Sequence, residues 1–474
     1  MSQSTFAMVG LGTMGRNLAL NIEEHGFPVA VWNLETEWID AFLRDHPGTK
    51  FTGAKTLPEL VAALERPRRI MMLIPAGAPV DQMIDKLAPL LDPGDILIDG
   101  GNSYFQDTRR REAALRAKGL HFVGCGVSGG EEGARRGPSI MPGGSDEAWN
   151  RVRDVFEAIA AKTEAGPCVT HVGTDGAGHF VKMIHNGIEY GDMQLIAEIY
   201  DVLHRGLALS TPEAGVVFGE WNRGVLESFL VELTAHVCGV IDPQTSAPMV
   251  DVIQDKAGQK GTGKWTAQVA LELAVAIPTI GAALDGRVLS SLKDQRVAAG
   301  RVFQATDTRA PFAPGDRARW QDDLRDALYA ARICSYAQGM ALIAAGAAEY
   351  KWTIDLSEMA RIWKGGCIIR ARLLDQVRQA YGAGKAPANL LVDPAIAADM
   401  ERAAPGWRRV VAAAAAAGIP VPALAASLAY FDSYRTPRLP QNLTQAQRDA
   451  FGAHTFERVE KPGFVHFDWN VDQK

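Results

Sequence analysis

Three observations along the 474-residue chain predict an α/β N-terminal domain with a doubly wound, mostly parallel sheet, then a large all-α domain, then a C-terminal tail. Short apolar runs alternate with amphipathic stretches over residues 1–176. Long helical periodicities take over across 177–435, and prolines and aromatics mark 436–474.

In the first region the expected strands are Phe6–Val9, Val29–Trp32, 69–74, 95–99, 121–123 and 168–172, with helical patterns such as 15–25 and 79–91 between them. Strand–helix–strand alternation with short loops is the pattern of a parallel sheet covered on both faces. In the second region the expected helices are 178–205, 212–238, 265–284, 319–347, 354–381 and Pro394–Ala417. The last of these ends in six alanines, Ala412 to Ala417, followed by Gly418 and Pro420, which is good helix and C-cap chemistry. The tail carries an amphipathic stub at 443–451 and an aromatic finish with Phe464, Phe467 and Trp469. So many aromatics are expected to pack on another surface rather than stand in water.

Composition excludes several classes. At 47% hydrophobic and 22% charged residues the chain is too apolar for disorder. A net charge of −6 speaks against a nucleic-acid or membrane-surface partner, so an anionic substrate needs a local basic pocket. The five cysteines, Cys125, Cys168, Cys238, Cys334 and Cys367, are scattered and form no C-x-x-C pair, which argues against disulfides or a metal site and fits a reducing, cytoplasmic setting. No signal peptide and no membrane span are expected.

The loop Gly10-Leu11-Gly12-Thr13-Met14-Gly15 follows an apolar run and opens a helical pattern. The first glycine allows the tight turn, the second lets a pyrophosphate approach the backbone, and the third packs helix on strand. With that context on both sides, G-x-G-x-x-G marks a Rossmann-like dinucleotide site. The second strand ends at Asn33-Leu34-Glu35, and Glu35 stands where an acidic side chain accepts from the adenosine ribose. There is no arginine between Ala30 and Phe42 to meet a 2′-phosphate, so this strand end favours NAD over NADP.

Lys182, His185, Asn186 and Glu189 are spaced i, i+3, i+4 and i+7 and share one helix face. By spacing alone such a stripe is most often a solvated face. The continuation of this helix is apolar enough for a core, however, and Gly187 and Gly191 each cost it about 1 kcal/mol, so something is expected to approach its backbone closely. In a closed cleft Lys182 and Glu189 form an acid/base pair. Further on, 258–264 has the spacing of a P-loop but fails at Trp265, where a magnesium-holding hydroxyl is required; it remains a glycine-rich turn with Lys260 and Lys264, suited to an anion. Arg287 and Arg448 are further candidate anion partners.

These residues sit in longer segments: IDGGNS (98–103), GVSGGEEG (126–133), GPSIMPGG (137–144), GAGHFVKMIHNGIEYGDMQLI (176–196), KGTGKW (260–265), SSLKDQR (290–296), GCIIRA (366–371) and QRDAFGAHT (447–455). Together, across essentially the whole chain, they resemble the decarboxylating 6-phosphogluconate dehydrogenase family. The resemblance implies oxidative decarboxylation of 6-phosphogluconate to ribulose 5-phosphate and CO2 with NAD or NADP, and no metal. It implies Lys182 as the general base and then acid, and Glu189 as the acid that protonates C1. It places Asn102, Ser128, Gly129, Gly130, His185 and Asn186 on the sugar acid, and Tyr190, Lys260 and Arg287 on its phosphate. It assigns Arg448 and His454 to a tail reaching the partner's active site in a homodimer.

The chain departs from the family at two cofactor positions. Asn33-Leu34-Glu35 stands where Asn-Arg-Thr or Asn-Arg-Ser is usual, and Ile74-Pro75-Ala76-Gly77 where Val-Lys-Ala-Gly is usual. The alternatives are another β-hydroxyacid dehydrogenase acting on a different sugar acid, which the candidate phosphate contacts oppose, and a non-enzymatic dinucleotide sensor, which would be expected to lose the Lys182/Glu189 pair.

Overall fold

The structure, a computed structural model, describes residues 3–303, 307–312, 316–384 and 386–469. Met1–Ser427 form one compact unit and Leu428–Lys474 a second.

Seven strands build the main sheet of the first unit: β1 (Phe6–Val9), β2 (Val29–Trp32), β3 (Phe51–Gly53), β4 (Arg69–Met72), β5 (Ile96–Asp99), β6 (His121–Val127) and β7 (Ile140–Pro142). Their order is β3-β2-β1-β4-β5-β6-β7, parallel up to β6, with β7 antiparallel to β6. Helices α1 (Thr13–Glu24), α2 (Thr36–Asp45), α3 (Leu57–Ala62), α4 (Ala78–Leu87), α5 (Phe105–Arg116), α6 (Gly130–Arg136) and α7 (Asp146–Ile159) connect or follow the strands. Alternate residues of each strand feed two cores. Phe6 and Met8 of β1 belong to one face, Ala7 and Val9 to the other. Burial on both faces explains why these strands read as unbroken apolar runs.

The register sets the site. Val9 pairs with both Trp32 and Met72, and Met72 pairs with Asp99. Four strands therefore end on one line, and the loops that follow them gather at one sheet edge, at the point where strand order reverses.

The expected strand at 168–172 is not one. Only single bridges form there, Val169 to Ile140 and Gly173 to Gly143. Val172 donates to the carbonyl of Pro142, but a proline has no amide hydrogen to return, so the ladder stops. β3 escapes sequence reading because it is a short edge strand with no apolar run. A small hairpin of β8 (Lys162–Thr163) and β9 (Gly166–Pro167) precedes the helical part.

That part opens with α8 (Ala177–Asp201), followed by a π-helical turn at Val202–Gly206. It continues as α9 (Thr211–Trp221), α10 (Phe229–Cys238), α11 (Met249–Val252), α12 (Gly261–Glu272), α13 (Pro278–Ser291), α14 (Lys293–Val302), α15 (Arg317–Tyr350), α16 (Leu356–Ile362), α17 (Leu373–Gly382), α18 (Pro394–Ala417) and α19 (Pro422–Tyr434). Three expected helices are each two. Ser228 caps α10 by accepting from the amide of Val231, Pro278 starts α13, and Gly365 and Gly366 lie between α16 and α17. α18 has the expected bounds, and Gly418 caps it in the left-handed region.

α8 is the centre of this arrangement, packed on α12, α13, α15 and β6. The two helix-weakening glycines mark close approaches to other helices. A Cβ on Gly187 would press on Thr266 of α12, and one on Gly191 on Ser335 of α15. The close neighbour expected from sequence is thus another helix at each glycine.

In the second unit α20 (Gln441–Gly452) is followed by the antiparallel pair β10 (Phe456–Arg458) and β11 (Lys461–Val465). Buried Asp449 organises it, accepting from the amides of Thr455 and Phe467 at 2.9 and 3.0 Å and from the Trp469 indole at 2.9 Å. Phe451 and Phe464 remain three-quarters exposed within the single chain. Among the described residues, no helix is long and apolar enough to cross a membrane.

Candidate active site

Two adjoining features make the site: the crevice at the strand ends and the polar face of α8. In the crevice, Gly10 adopts a left-handed φ of 101°. An added Cβ on Gly15 would overlap the Gly10 carbonyl, whereas one on Gly12 meets nothing within 4 Å. The first and third glycines are therefore needed by the turn itself, and the second faces open space at the start of α1. That is the geometry a dinucleotide pyrophosphate requires. The Leu11 side chain is in the core, and its amide donates to Asn33 Oδ1 at 2.9 Å, tying the loop to the end of β2.

A cavity of about 600 Å³ is lined by Gly12, Thr13, Met14 and Gly15, by Ile74, Pro75 and Ala76, by Gly100, Gly101 and Asn102, and by Lys260 to Thr262 and Trp265. A second, of about 460 Å³, is lined by Gly10, Asn33, Leu34, Glu35, Pro75 and Lys86, among others. Every sequence-proposed cofactor residue except Leu11 lines one or the other. Asn33 Nδ2 donates to Glu35 Oε2 at 2.9 Å, so the carboxylate is held at the strand end. Leu34 is 70% exposed. Two wall residues escaped sequence reading. Lys86, in the last turn of α4, reads in sequence only as a cation at a helix C-terminus. Trp265 reads only as a failed P-loop, yet it joins the cavity wall and lies against Tyr104, with ring centroids 5.2 Å apart.

On α8 the polar stripe faces inward. Lys182 is 6% exposed, and its stem passes over β6 at Gly126, where a Cβ would lie 2.5 Å from the lysine Cβ. Its Nζ donates to Asn186 Oδ1 at 2.7 Å, and Asn186 Nδ2 donates to Thr262 Oγ1 at 3.0 Å. Thr262 is a third residue missed in sequence, since a threonine inside a glycine-rich turn carries no separate signal. His185 is fully buried between Ser128 Oγ (3.4 Å from Nε2), Asn186 Oδ1 (3.2 Å from Nδ1) and the edge of Trp363. Glu189 Oε2 lies 4.0 Å from His185 Nδ1. Arg287 stacks on Tyr190, its guanidinium carbon 3.6 Å from the ring centroid, and the Tyr190 hydroxyl accepts from the Lys260 amide at 3.3 Å. Gly129 turns through a left-handed φ of 107° directly under the Gly366 carbonyl, with Gly130 following it into α6.

The electrostatics follow from burial. Desolvation pushes the Lys182 pKa below the usual lysine value, opposed by the charge of Glu189. Desolvation also raises Glu189, opposed by Lys182 and Arg287 and reinforced by Asp192. His185 is held well below the ordinary histidine value and stays neutral. Burial thus moves the two pKa values towards each other, the direction that a base and an acid require.

The first unit therefore brings together Asn102, Ser128, Gly129, Gly130, Lys182, His185, Asn186, Glu189, Tyr190, Lys260 and Arg287. Arg448 and His454 are on the second unit, where Arg448 donates to Gln445 and exposed His454 sits edge-on to Phe451.

Residues 178–469 match the family described as 6-phosphogluconate dehydrogenase, C-terminal domain, and residues 5–173 match the NAD binding domain of 6-phosphogluconate dehydrogenase. The chain belongs to the 6-phosphogluconate dehydrogenase family. A Synechococcus elongatus protein named 6-phosphogluconate dehydrogenase, decarboxylating, is 53% identical over 472 residues, covering 99% of this chain and 100% of its own. A Spinacia oleracea relative, 6-phosphogluconate dehydrogenase, decarboxylating 1, is 52% identical over 98% of this chain and 97% of its own. The solved Plasmodium falciparum 6-phosphogluconate dehydrogenase superposes with a TM-score of 0.95 at 40% identity, over 98% of this chain and 100% of that one. That protein is described in its apo form, with its cofactor NADP+ and with its substrate 6-phosphogluconate.

The Lys182–Asn186 contact has a measurable consequence. Asn186→Asp places a carboxylate where the amide oxygen lies 2.7 Å from Nζ, which favours the ammonium form. The pH at which Lys182 becomes half-reactive towards an amine-selective acetylating reagent, followed by mass spectrometry, is expected to rise by about one unit. An unmoved profile would contradict the contact.

Proposed function

We propose that this chain oxidatively decarboxylates 6-phosphogluconate to ribulose 5-phosphate and CO2, using a nicotinamide dinucleotide seated at the strand ends. The observation that carries the reading is the buried, oppositely shifted pair of Lys182 and Glu189 on a helix whose Asn186 is hydrogen-bonded to Thr262 in the wall of the dinucleotide crevice. When bound, the nicotinamide supplies the acceptor for the hydride that leaves C3. Lys182, whose pKa burial lowers, takes the proton of the C3 hydroxyl at Nζ. The oxidised product carries a carbonyl β to the carboxylate. The protonated Nζ, now hydrogen-bonded to that carbonyl oxygen, stabilises the negative charge that develops there as CO2 departs. Nζ passes its proton to that oxygen, giving the enediol. Glu189, whose pKa burial raises, then delivers a proton to C1 while Lys182 takes back the proton of the adjacent hydroxyl, leaving the ketone of ribulose 5-phosphate.

Asn186 orients Lys182. Ser128, His185, Asn102 and the Gly129–Gly130 turn hold the sugar acid, and Tyr190, Lys260 and Arg287 receive the phosphate against a net acidic chain. Lys182→Met is expected to abolish turnover while the fold and dinucleotide binding persist, as read by circular dichroism and calorimetric titration. Substantial residual turnover would refute the acid/base role.

For the cofactor we propose NAD over NADP. Leu34 and Pro75 replace the two usual cations, and Glu35 adds a negative charge where a 2′-phosphate would lie. Lys86 opposes this preference from across the pocket, but it is an exposed lysine and screened by solvent. Steady-state kinetics with 6-phosphogluconate should give a higher kcat/KM with NAD than with NADP; the reverse order would sink the assignment.

A homodimer completes the proposal, with Arg448 and His454 of one protomer's tail reaching the partner's site. The exposed Phe451, Phe464, Phe467 and Trp469 support it, because a water-soluble monomer rarely presents so much aromatic surface in one short segment. Sedimentation velocity should report a dimer, and a chain ending at residue 435 should lose dimer and turnover together. A monomeric full-length chain at full activity would exclude tail exchange.

A further inference from the structure

Arg111 is among the most deeply buried charged side chains of the sheet domain, its side chain 1% exposed. It reaches from α5 to the start of α4 and the end of β5. Nε and Nη2 form a fork on Asp81, at 2.9 Å to Oδ1 and 3.0 Å to Oδ2. Nη2 also donates to the Gly77 carbonyl at 3.0 Å, and Nη1 approaches Asp99 Oδ2 at 3.5 Å. Gly77 caps α4 and directly follows Ile74, Pro75 and Ala76. Asp99 ends β5 and itself holds the next turn, accepting from the Gly101 amide at 3.1 Å and from Ser103 Oγ at 2.6 Å. The two segments that Arg111 joins thus lie side by side in the lining of the 600 Å³ cavity, one carrying Pro75 and Ala76, the other Gly101 and Asn102, and a Cβ on Gly101 would lie 3.2 Å from the Ile74 carbonyl oxygen.

We propose that Arg111 is a positioning residue that fixes these two adjacent segments relative to each other, and so the shape of the seat for the nicotinamide half of the dinucleotide; this rests on reading the strand-end crevice as the dinucleotide site. Burying a guanidinium is expensive, and a well-packed apolar side chain of similar volume would hold α5 on the sheet equally well. What an apolar residue lacks is a planar fork with donors in several directions, able to grip a carboxylate and still reach a carbonyl and a second carboxylate. Lysine offers a single point charge and cannot fix all three at once. The charges facing Arg111 are Asp81 and Asp99. Asp81 is shared with Arg110 at 2.9 Å, and the two arginines hold its pKa down to about 2. Asp81 therefore stays a carboxylate near neutrality, and its part in the clamp is geometric.

The test compares three purified full-length variants with the unaltered chain. Arg111→Lys is expected to raise the dissociation constant for NAD and NADP, measured by calorimetry, about tenfold, since a loosened site loses orientation rather than contacts. The KM for the dinucleotide should rise by a larger factor than kcat falls. Asp81→Asn, which weakens the fork but leaves the arginine in place, should give a smaller rise in the same direction, and it remains readable if Arg111→Lys fails to fold. Arg409→Lys is the control. It loosens a forked pair with Asp323 at 2.7 and 2.6 Å between α18 and α15, and it should lower the melting temperature with no change in dinucleotide affinity. Folded Arg111→Lys or Asp81→Asn protein that binds both dinucleotides like the unaltered chain would overturn the inference. Failure of the unaltered chain to bind either dinucleotide would overturn the crevice reading beneath it.

Discussion

Everything in this site depends on the desolvation of one helix. α8 is buried almost all round, and it carries Lys182, His185, Glu189 and Asp192 into that environment. Isolated charges there would be very costly, so each group is answered or neutralised. Asp192 takes two hydrogen bonds from Arg332 on one oxygen, at 3.1 and 3.0 Å. His185 stays neutral between Ser128 and Asn186. For Lys182 and Glu189 no full ion pair forms, and burial moves their pKa values towards each other. A solvated stripe with the same four residue types would carry its ordinary charges and offer neither a free base nor a free acid near neutrality.

The second constraint is the meeting of this helix with the sheet edge. α12 does the joining. Thr266 donates to the Met183 carbonyl at 2.9 Å and fills the space that Gly187 leaves, which seats α12 on α8. From the first turn of the same helix, Thr262 accepts from Asn186, and Trp265 contributes to the wall of the dinucleotide cavity. A single glycine-rich turn thus borders the acid/base pair on one side and the cofactor crevice on the other.

Much of this was legible in the sequence, for local reasons. β1 and β2 have the expected bounds because a doubly covered parallel strand is apolar at every position. The Gly10–Gly15 loop was legible because its spacing has backbone consequences, and the bounds of α18 because proline, alanine and glycine act through local geometry. The errors also share a cause. The segments 212–238, 265–284 and 354–381 each break where a cap, a proline or a glycine pair interrupts an otherwise helical pattern. At 168–172 the apolar run is real, but its neighbour offers Pro142 where a ladder needs an amide.

By itself the sequence determined the fold class, the dinucleotide loop, the shared face of Lys182, His185, Asn186 and Glu189, and the absence of the usual cations at Leu34 and Pro75. These are properties of spacing and residue type, which local stereochemistry translates directly. Only the tertiary structure decided that this face points inward, because solvation depends on which helices pack around α8, and no periodicity of α8 alone encodes that. It also decided that Lys86 and Thr262 line the crevice. They are far apart in the chain, and only strand register and helix packing bring them to its two adjoining cavities.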